Sequence, residues 1–376
     1  MTNIRIEKTP RQEISRWFAV ALQGLTVIAA LAVASIALLY VDANPLDVYS
    51  KMFISPLTDQ VVAEQVLNRS APLILTGLAV YIPLRSGLYN IGAEGQFIVA
   101  GLITLWAGVT LPSMLGVPES SPLVLLVALL LALLIGAVWI AVPIYLYIRY
   151  EVNEILTTLM LVFTAERLSA YLINGPLQAQ GGGFPRTDNA AFELPMLFGR
   201  AHIGILFALL AVAGTWLLLN KTKLGYEIIL SGSNKNVAKQ AGISTAKITV
   251  VVFSIAAALA GLAGFIEVTG QQSTLTIGWQ PGYGWTGIVI ALLGRDGAVQ
   301  TMLAGFLFGV IFVGGNLAST TLGVPSAIIQ MIEALCILFL ISAEFIKSYQ
   351  LDVVRGNWSL RDSMAGLVGF SRAEGS

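Results

Sequence analysis

The stretch VLLVALLLALLIGAVWIAVPIYLYI, residues 124–148, decides the fold class. Its 25 residues include no charged side chain, and apolar residues lie on every face of a helix built from them. About 20 apolar residues in a helix cross the hydrocarbon core of a bilayer, which is roughly 30 Å thick. The strands of a membrane β-barrel would instead alternate in polarity over about ten residues. The stretch therefore predicts a membrane-spanning helix and argues against a barrel.

The composition extends this prediction to the whole chain. Of its 376 residues, 56% are hydrophobic and 11% are charged, whereas about 25% are charged in a typical soluble domain. The 21 basic and 21 acidic residues cancel, so no net positive charge favours a nucleic acid partner. The single cysteine, Cys336, cannot form an internal disulfide. These figures exclude a disordered chain and a disulfide-stapled secreted domain.

Ten stretches are apolar and long enough to be membrane spans. The longest stretch without Asp, Glu, Lys or Arg, 297–332, is divided in two by glycines and by Pro325. Gly282 and Gly284 weaken the start of the eighth span. The fold class is therefore all-α, a polytopic integral membrane bundle of about ten helices. The predicted spans are 17–41, 70–86, 95–113, 122–148, 152–174, 201–220, 248–268, 278–294, 297–315 and 324–346.

The basic residues predict the orientation, because Lys and Arg concentrate on the cytoplasmic side. Ten spans place the tail 1–16, the loop 221–247 and the tail 347–376 on one side. These segments hold thirteen basic residues and the short inner turns hold three more, giving sixteen of 21. Both termini are therefore expected in the cytoplasm, flanking one transmembrane domain, 17–346. The two sizeable outer loops are 42–69 and 175–200.

The N-terminus has a second interpretation. Basic residues, an apolar run and Ala32-Val33-Ala34 also resemble a cleaved signal peptide. Because the apolar run continues to Val41 and reaches 25 residues, we expect an uncleaved first helix.

The usual motifs of enzymes are missing. The sequence has no GxxxxGK[ST] phosphate loop, no HExxH and no CxxC. The one histidine, His202, cannot by itself form an ordinary zinc site, and we expect it to be an interfacial residue at a helix start. No paired intramembrane Asp residues occur. We therefore expect no enzymatic activity and no cofactor, and any ATP must be hydrolysed by another subunit.

Polar residues interrupt the apolar pattern at RSGLYNIGAEGQ, residues 85–96. Asn90, Glu94 and Gln96 alternate there with glycines. One interpretation is a broken helix that lines a transport cavity, since irregular backbone at membrane depth is tolerated only where protein or water covers it. The other is a short cytoplasmic turn with Glu94 at a helix start, where the helix dipole favours it. Glu333, near the middle of the last span, should face the bundle interior and serve packing or transport.

The inner loop 221–247 is the longest on its side. Ser233 is a plausible N-cap and Gly242 a plausible stop for a short helix, 234–241. Such a helix can dock a soluble partner, or it can lie on lipid headgroups through its lysines. Gly305-x-x-x-Gly309, in a later span, predicts close packing of two helices.

Three segments together resemble the permease subunits of ABC importers for simple sugars and nucleosides. NIGAEGQ (Asn90–Gln96) resembles the signature of the nucleoside-type branch. GSNKNVAKQAGISTAK (Gly232–Lys247) is similar to the loop that contacts the ATPase, and GYGWTGIVIALLGRDG (Gly282–Gly297) to a late-helix motif. The resemblance runs from about residue 65 to 345. It departs at Val162, where an Asn is expected.

The resemblance implies a permease subunit in the cell membrane that forms the pathway for a nucleoside or a simple sugar. It implies separate ATPase subunits, a second permease (a second copy or a sister chain) and an extracytoplasmic substrate-binding lipoprotein. The alternative is a self-sufficient secondary transporter or channel that uses Glu94 and Glu333. The implied coupling residues are Gly225, Glu227, Gly232, Asn234, Ala238, Lys239, Gly242 and Ile243. The candidate pathway residues are Asn90, Glu94, Gln96 and Glu333.

Overall fold

The computed structural model describes residues 3–10, 16–118, 120–179, 183–190 and 192–356. The chain forms two compact units. The larger comprises Ser35–Glu333, and the smaller combines Met1–Ala34 with Ala334–Ser376.

The described residues are mostly helical. In chain order the elements are β1 (Asn3–Pro10), α1 (Arg16–Tyr40), α2 (Pro45–Tyr49), a π-helix (Ser50–Ile54), α3 (Ser55–Thr58), α4 (Gln60–Arg85), α5 (Ala93–Leu115), α6 (Pro122–Tyr150), α7 (Glu154–Ile173), β2 (Met196–Phe198), β3 (Ala201–His202), α8 (Gly204–Lys221), α9 (Lys223–Ser233), α10 (Lys235–Gln240), α11 (Thr245–Gly270), α12 (Tyr283–Leu293), α13 (Ala298–Leu322), α14 (Ser326–Ser348) and β4 (Tyr349–Gly356).

Every predicted span coincides with a helix. Among the described residues, eight of these helices are long and apolar enough to cross the membrane, and the other two, α12 and the stretch Gly24–Tyr40 of α1, are shorter apolar helices. The predicted span 278–294 is corrected, because α12 has 11 residues and is about 16 Å long at 1.5 Å per residue. It covers about half of the hydrocarbon core. Gly282 precedes it with a φ of 78°, a left-handed conformation that favours glycine and ends the loop before the helix.

The predicted outer loop 42–69 is largely helical, since it contains α2, the π-helix, α3 and the first ten residues of α4. The prediction of spans from stretches without charged residues missed the start of α4, because Glu64 and Arg69 are charged. Both side chains are paired within the protein, while Val62 and Val66 pack against Val310 and Val313 of α13. A helix with satisfied charges therefore extends beyond its apolar section.

α4 lies at the centre of the larger unit and packs against α11, α12 and α13. Small residues permit these close contacts. A Cβ at Gly305 would press on Ile74, and one at Gly309 would press on Ser70. The close packing predicted for this Gly-x-x-x-Gly pair is thus confirmed, in line with the use of small residues where lipid supplies no hydrophobic force between helices.

A hairpin formed by β2 and β3 is attached to α4 by hydrogen bonds. The backbone N–H of Arg200 donates to Glu64 Oε2 at 2.8 Å, and Asn68 bonds to Arg200 O at 2.7 Å and to the His202 N–H at 2.9 Å. The His202 ring is fully buried, and its Nδ1 accepts from the Gly204 N–H at 3.1 Å. Burial lowers the pKa of His202 to about 4, so the imidazole is neutral at ordinary pH.

The smaller unit contains a two-stranded sheet. β1 pairs antiparallel with β4, from Asn3 opposite Gly356 to Pro10 opposite Tyr349.

Candidate translocation site and coupling loop

The segment after α4 turns back along the helix that precedes it. Asn90 Nδ2 donates to Ala79 O at 3.3 Å and to Gln96 Oε1 at 3.2 Å, and Gln96 Nε2 donates to Asn90 Oδ1 at 3.3 Å. Both amides are fully buried. They satisfy each other, as buried polar groups must where no water reaches them.

Glu94 lies in the first turn of α5, and its carboxylate reaches the start of the half-length helix α12. Oε2 accepts from the Gly284 N–H at 2.6 Å, and Glu94 is fully buried. Gly284 has no room for a side chain, because a Cβ there would collide with the Glu94 backbone. The carboxylate therefore lies against the positive N-terminal end of α12 within the bundle.

Aromatic rings connect this junction to a charged pair. Phe97 stacks on Trp279 with centroids 5.6 Å apart and meets Tyr283 edge to face at 5.8 Å. The Arg69 guanidinium lies 5.2 Å from the centroid of the Tyr283 ring. Arg69 Nη1 also lies 3.3 Å from Oε1 of the fully buried Glu267. A buried carboxylate of this kind requires such a partner.

A cavity of about 440 Å³ opens beside Arg69. Such a volume falls within the range of small-molecule sites, roughly 300–1,000 Å³. Glu333 is in its lining, whereas Asn90, Glu94 and Gln96 are not. A second cavity, of about 390 Å³, shares Arg69 with the first. The first cavity is lined by Arg69, Pro281, Tyr283, Phe312, Asn316, Ser319, Ser326, Ile329, Gln330 and Glu333.

Sequence reasoning missed Arg69, since it fell in a presumed outer loop. The available signal was a charged residue directly before the apolar stretch that begins at Ser70. Its partner Glu267 is 198 residues away, so no local pattern could pair them.

The inner loop contains the predicted short helix, here α10, and a second helix, α9, that was not predicted. Asn234 is the N-cap of α10, because its Oδ1 accepts from the Asn236 N–H at 3.0 Å and the Val237 N–H at 3.2 Å. The prediction of Ser233 as cap was wrong, since its hydroxyl donates to Ile229 O. Gly242 follows α10 with a φ of 77°, as its predicted role as a stop requires.

Some of the candidate coupling residues hold the loop against the bundle. Gly225 approaches the backbone of α8, and Gly232 approaches the backbone of Arg85 and Ser86 so closely that a Cβ would not fit. Ala238 is buried, and the Ile243 N–H donates to its carbonyl at 3.0 Å. Glu227 lies 3.7 Å from Lys223.

Other candidates face outward. Asn234, Lys239 and Gly242 are exposed. Val237, on the same short helix, is 45% exposed. Most of α10 is therefore exposed, while α9 is anchored to the bundle.

Several helix ends meet beside this loop. Lys235 Nζ bonds to Tyr147 Oη at 3.1 Å, and Arg85 Nη1 bonds to Arg295 O at 3.4 Å. The ends of α4, α6 and α12 thus lie with α9 and α10 at one end of the bundle. A polytopic helical bundle with a half-length helix, a polar cavity and an exposed loop helix defines a membrane transport protein.

Comparison with known proteins identifies the family. The family model for the permease component of branched-chain amino acid transport systems matches residues 62–341. The chain belongs to this permease family. No solved structure matches it.

Three relatives illustrate the similarity. A glucose ABC transporter permease protein of Haloferax volcanii is 41% identical, over 97% of this chain and 99% of the relative. A nucleoside ABC transporter permease protein of Lactococcus lactis subsp. cremoris is 27% identical, over 86% and 90%. A second nucleoside ABC transporter permease protein of the same organism is 23% identical, over 73% and 89%.

The chain is therefore a transmembrane permease subunit of an ABC importer and a multi-pass protein of the plasma membrane. The self-sufficient secondary transporter is not favoured, because these relatives are named as components of ABC systems.

Proposed function

We propose that the chain forms the translocation pathway for a small neutral solute rich in hydroxyl groups, a simple sugar or a nucleoside. The observation that carries this proposal is the cavity beside Arg69. Its lining combines hydrogen-bonding groups of Asn316, Ser319 and Gln330 with the apolar surfaces of Phe312 and Pro281, both partly exposed. Hydroxyl groups can bond to the first set while apolar ring faces pack on the second.

The names of the relatives support this solute class. The relative that is named for glucose matches nearly the whole chain at 41% identity, and the two Lactococcus relatives are named for nucleosides. Hexoses and the ribose of nucleosides both present adjacent hydroxyls. Glu333 lies in the proposed pathway, and Asn90, Glu94 and Gln96 position the helices around it.

The proposed partners are ATPase subunits, a sister permease and an extracytoplasmic substrate-binding lipoprotein, with the bilayer around the bundle. Two nucleoside permeases in one organism, both similar to this chain, support a pair of different permeases. ATP is hydrolysed by the ATPase and not by this chain. The transmembrane domain is 17–346 and both tails, 1–16 and 347–376, lie in the cytoplasm, an assignment that β1–β4 pairing supports.

The coupling residues form a mechanical connection in this proposal. The ATPase docks on the exposed face of α10, and motion of α9 reaches the turn at Arg85 and Ser86 through the close approach of Gly232. That turn leads into the Asn90–Gln96 pair and then to Glu94, which holds the start of α12.

The test uses a surface substitution on α10. Val237→Asp places a charge on an exposed apolar side chain, and Leu46→Asp, on α2, is the matched control with 76% exposure. We expect Val237→Asp to abolish co-purification of the ATPase and ATP-dependent uptake of radiolabelled glucose or guanosine by the reconstituted complex. Leu46→Asp should retain both. Unchanged co-purification of Val237→Asp, or accumulation of solute by the purified chain without an ATPase, would contradict the proposal.

A further inference from the structure

One membrane-spanning helix, α7, has an unusually open environment. It packs mainly on α5 and α6. Only 22% of its most apolar stretch is buried, the lowest share among the eight spanning helices of the described residues. Its buried side chains follow one face, and its exposed side chains follow the opposite face. The exposed set is Leu156, Met160, Phe163, Thr164, Arg167 and Tyr171.

The exposed face of α7 carries a charge at membrane depth. Arg167 lies six residues before the end of α7 at Ile173, or about 9 Å along the axis. Helical side chains lean toward the N-terminus, which directs this guanidinium away from the nearer end of the helix. Within the described part of the chain, no hydrogen bond or ion pair reaches Arg167. Exposure of this charge to lipid is unfavourable, and an intramembrane Arg almost always faces protein or a water-filled cavity.

Two other helices, α6 and α8, show the exposed surface of this protein within the spans. The exposed large side chains of α6 within the span are apolar, including Leu126, Leu130 and Leu134. On α8 they are also apolar, including Leu206 and Leu210, until the last turn. The exposed face of α7 differs from these by Thr164 and Arg167, and the charge of Arg167 makes lipid a poor match for this face.

We propose that the exposed face of α7 packs against the sister permease, which supplies the hydrogen-bond acceptor or carboxylate for Arg167. The inference rests on the proposed pairing of two permeases. In two similarly oriented membrane chains related by an axis along the membrane normal, residues at equal depth meet. The partner residue therefore lies within the membrane, at the depth of Arg167.

Photo-crosslinking in the assembled transporter tests this surface. p-Benzoylphenylalanine replaces Phe163, which is 47% exposed on α7, and in the control it replaces Leu210, which is 68% exposed on α8. Illumination should join the chain to the sister permease from position 163 and not from position 210. Equal yields from both positions, or none from position 163, would overturn the α7 contact.

Native mass spectrometry of the same complexes separates the two proposals. Two permease chains per complex without a crosslink at position 163 would reject the α7 surface and keep the pairing. A single permease chain per complex would reject the pairing itself.

The charge has its own test. A leucine side chain is more favourable in lipid than an arginine side chain, so a lipid-facing position would tolerate Arg167→Leu. Loss of an interhelical bond of about 1–2 kcal/mol corresponds to roughly tenfold weaker pairing. We expect that loss in Arg167→Leu and substantial recovery in Arg167→Lys. Unchanged pairing in Arg167→Leu would contradict the role of the charge.

Discussion

Replacing Glu94 with alanine removes the carboxylate that binds the start of α12. Its Oε2 lies 2.6 Å from the Gly284 nitrogen, and the side chain is fully buried. A hydrogen bond to a charged group contributes about 1.5–3 kcal/mol. The alanine variant also leaves the N-terminal N–H of a half-length helix without an acceptor in a water-poor region. We therefore expect the free energy of unfolding to fall by about 1.5–3 kcal/mol.

The measurement is unfolding of the purified permease by titration with a denaturing detergent. Glu94→Gln retains a carbonyl oxygen as acceptor, so its loss should be less than about 1.5 kcal/mol. Glu227→Ala is the control for stability, because the Glu227 side chain is 21% exposed and forms an ion pair only with Lys223, 89% exposed, at 3.7 Å. Such a pair contributes at most about 1 kcal/mol.

Transport measured on the same variants distinguishes a positioning role from an ionic one. If Glu94 holds α12, Glu94→Gln should import solute at close to the native rate, and Glu94→Ala should lose import together with stability. An unchanged free energy of unfolding in Glu94→Ala would refute the role of Glu94 in holding α12, and loss of import in a stable Glu94→Gln would show that the negative charge itself is needed.

Arg69→Gln should lower the free energy of unfolding by about 3 kcal/mol, because it leaves the buried Glu267 carboxylate unpaired. The double variant Arg69→Gln/Glu267→Gln should recover much of that loss in the same denaturation assay, and additive losses would contradict the coupling. The second expectation concerns pH. The folded pKa of His202 is about 4, below the unfolded value of about 6.5. Below pH 6.5 the unfolded chain binds a proton that the folded chain does not, so stability falls with falling pH by at most about 1.4 kcal/mol per unit. His202→Asn should reduce the change in melting temperature between pH 7 and pH 5.5, since the sequence has no other histidine. An unchanged pH dependence of the melting temperature would show that His202 is not the group responsible.

The sequence predicted features that depend on local patterns. An apolar run of sufficient length forms a membrane helix whatever surrounds it, which is why Pro122–Tyr150 was identified almost to its ends. The short helix of the inner loop was also predicted, because an N-cap side chain and a terminal glycine act within a few residues. Its cap was misplaced by one residue, since Ser233 and Asn234 are both good caps and only the backbone geometry selects Asn234.

The sequence alone determined that this chain is an α-helical membrane protein with a cluster of polar residues at 90–96, because the length of an apolar stretch and the types of its residues are local properties of the sequence. Only the tertiary structure decided what those polar residues contact. Asn90 and Gln96 bond to each other, and Glu94 binds a helix 190 residues away. Arg69 meets its carboxylate partner 198 residues along the chain. A buried polar group takes whichever donor or acceptor folding brings within about 3 Å, and that proximity is a property of helix packing.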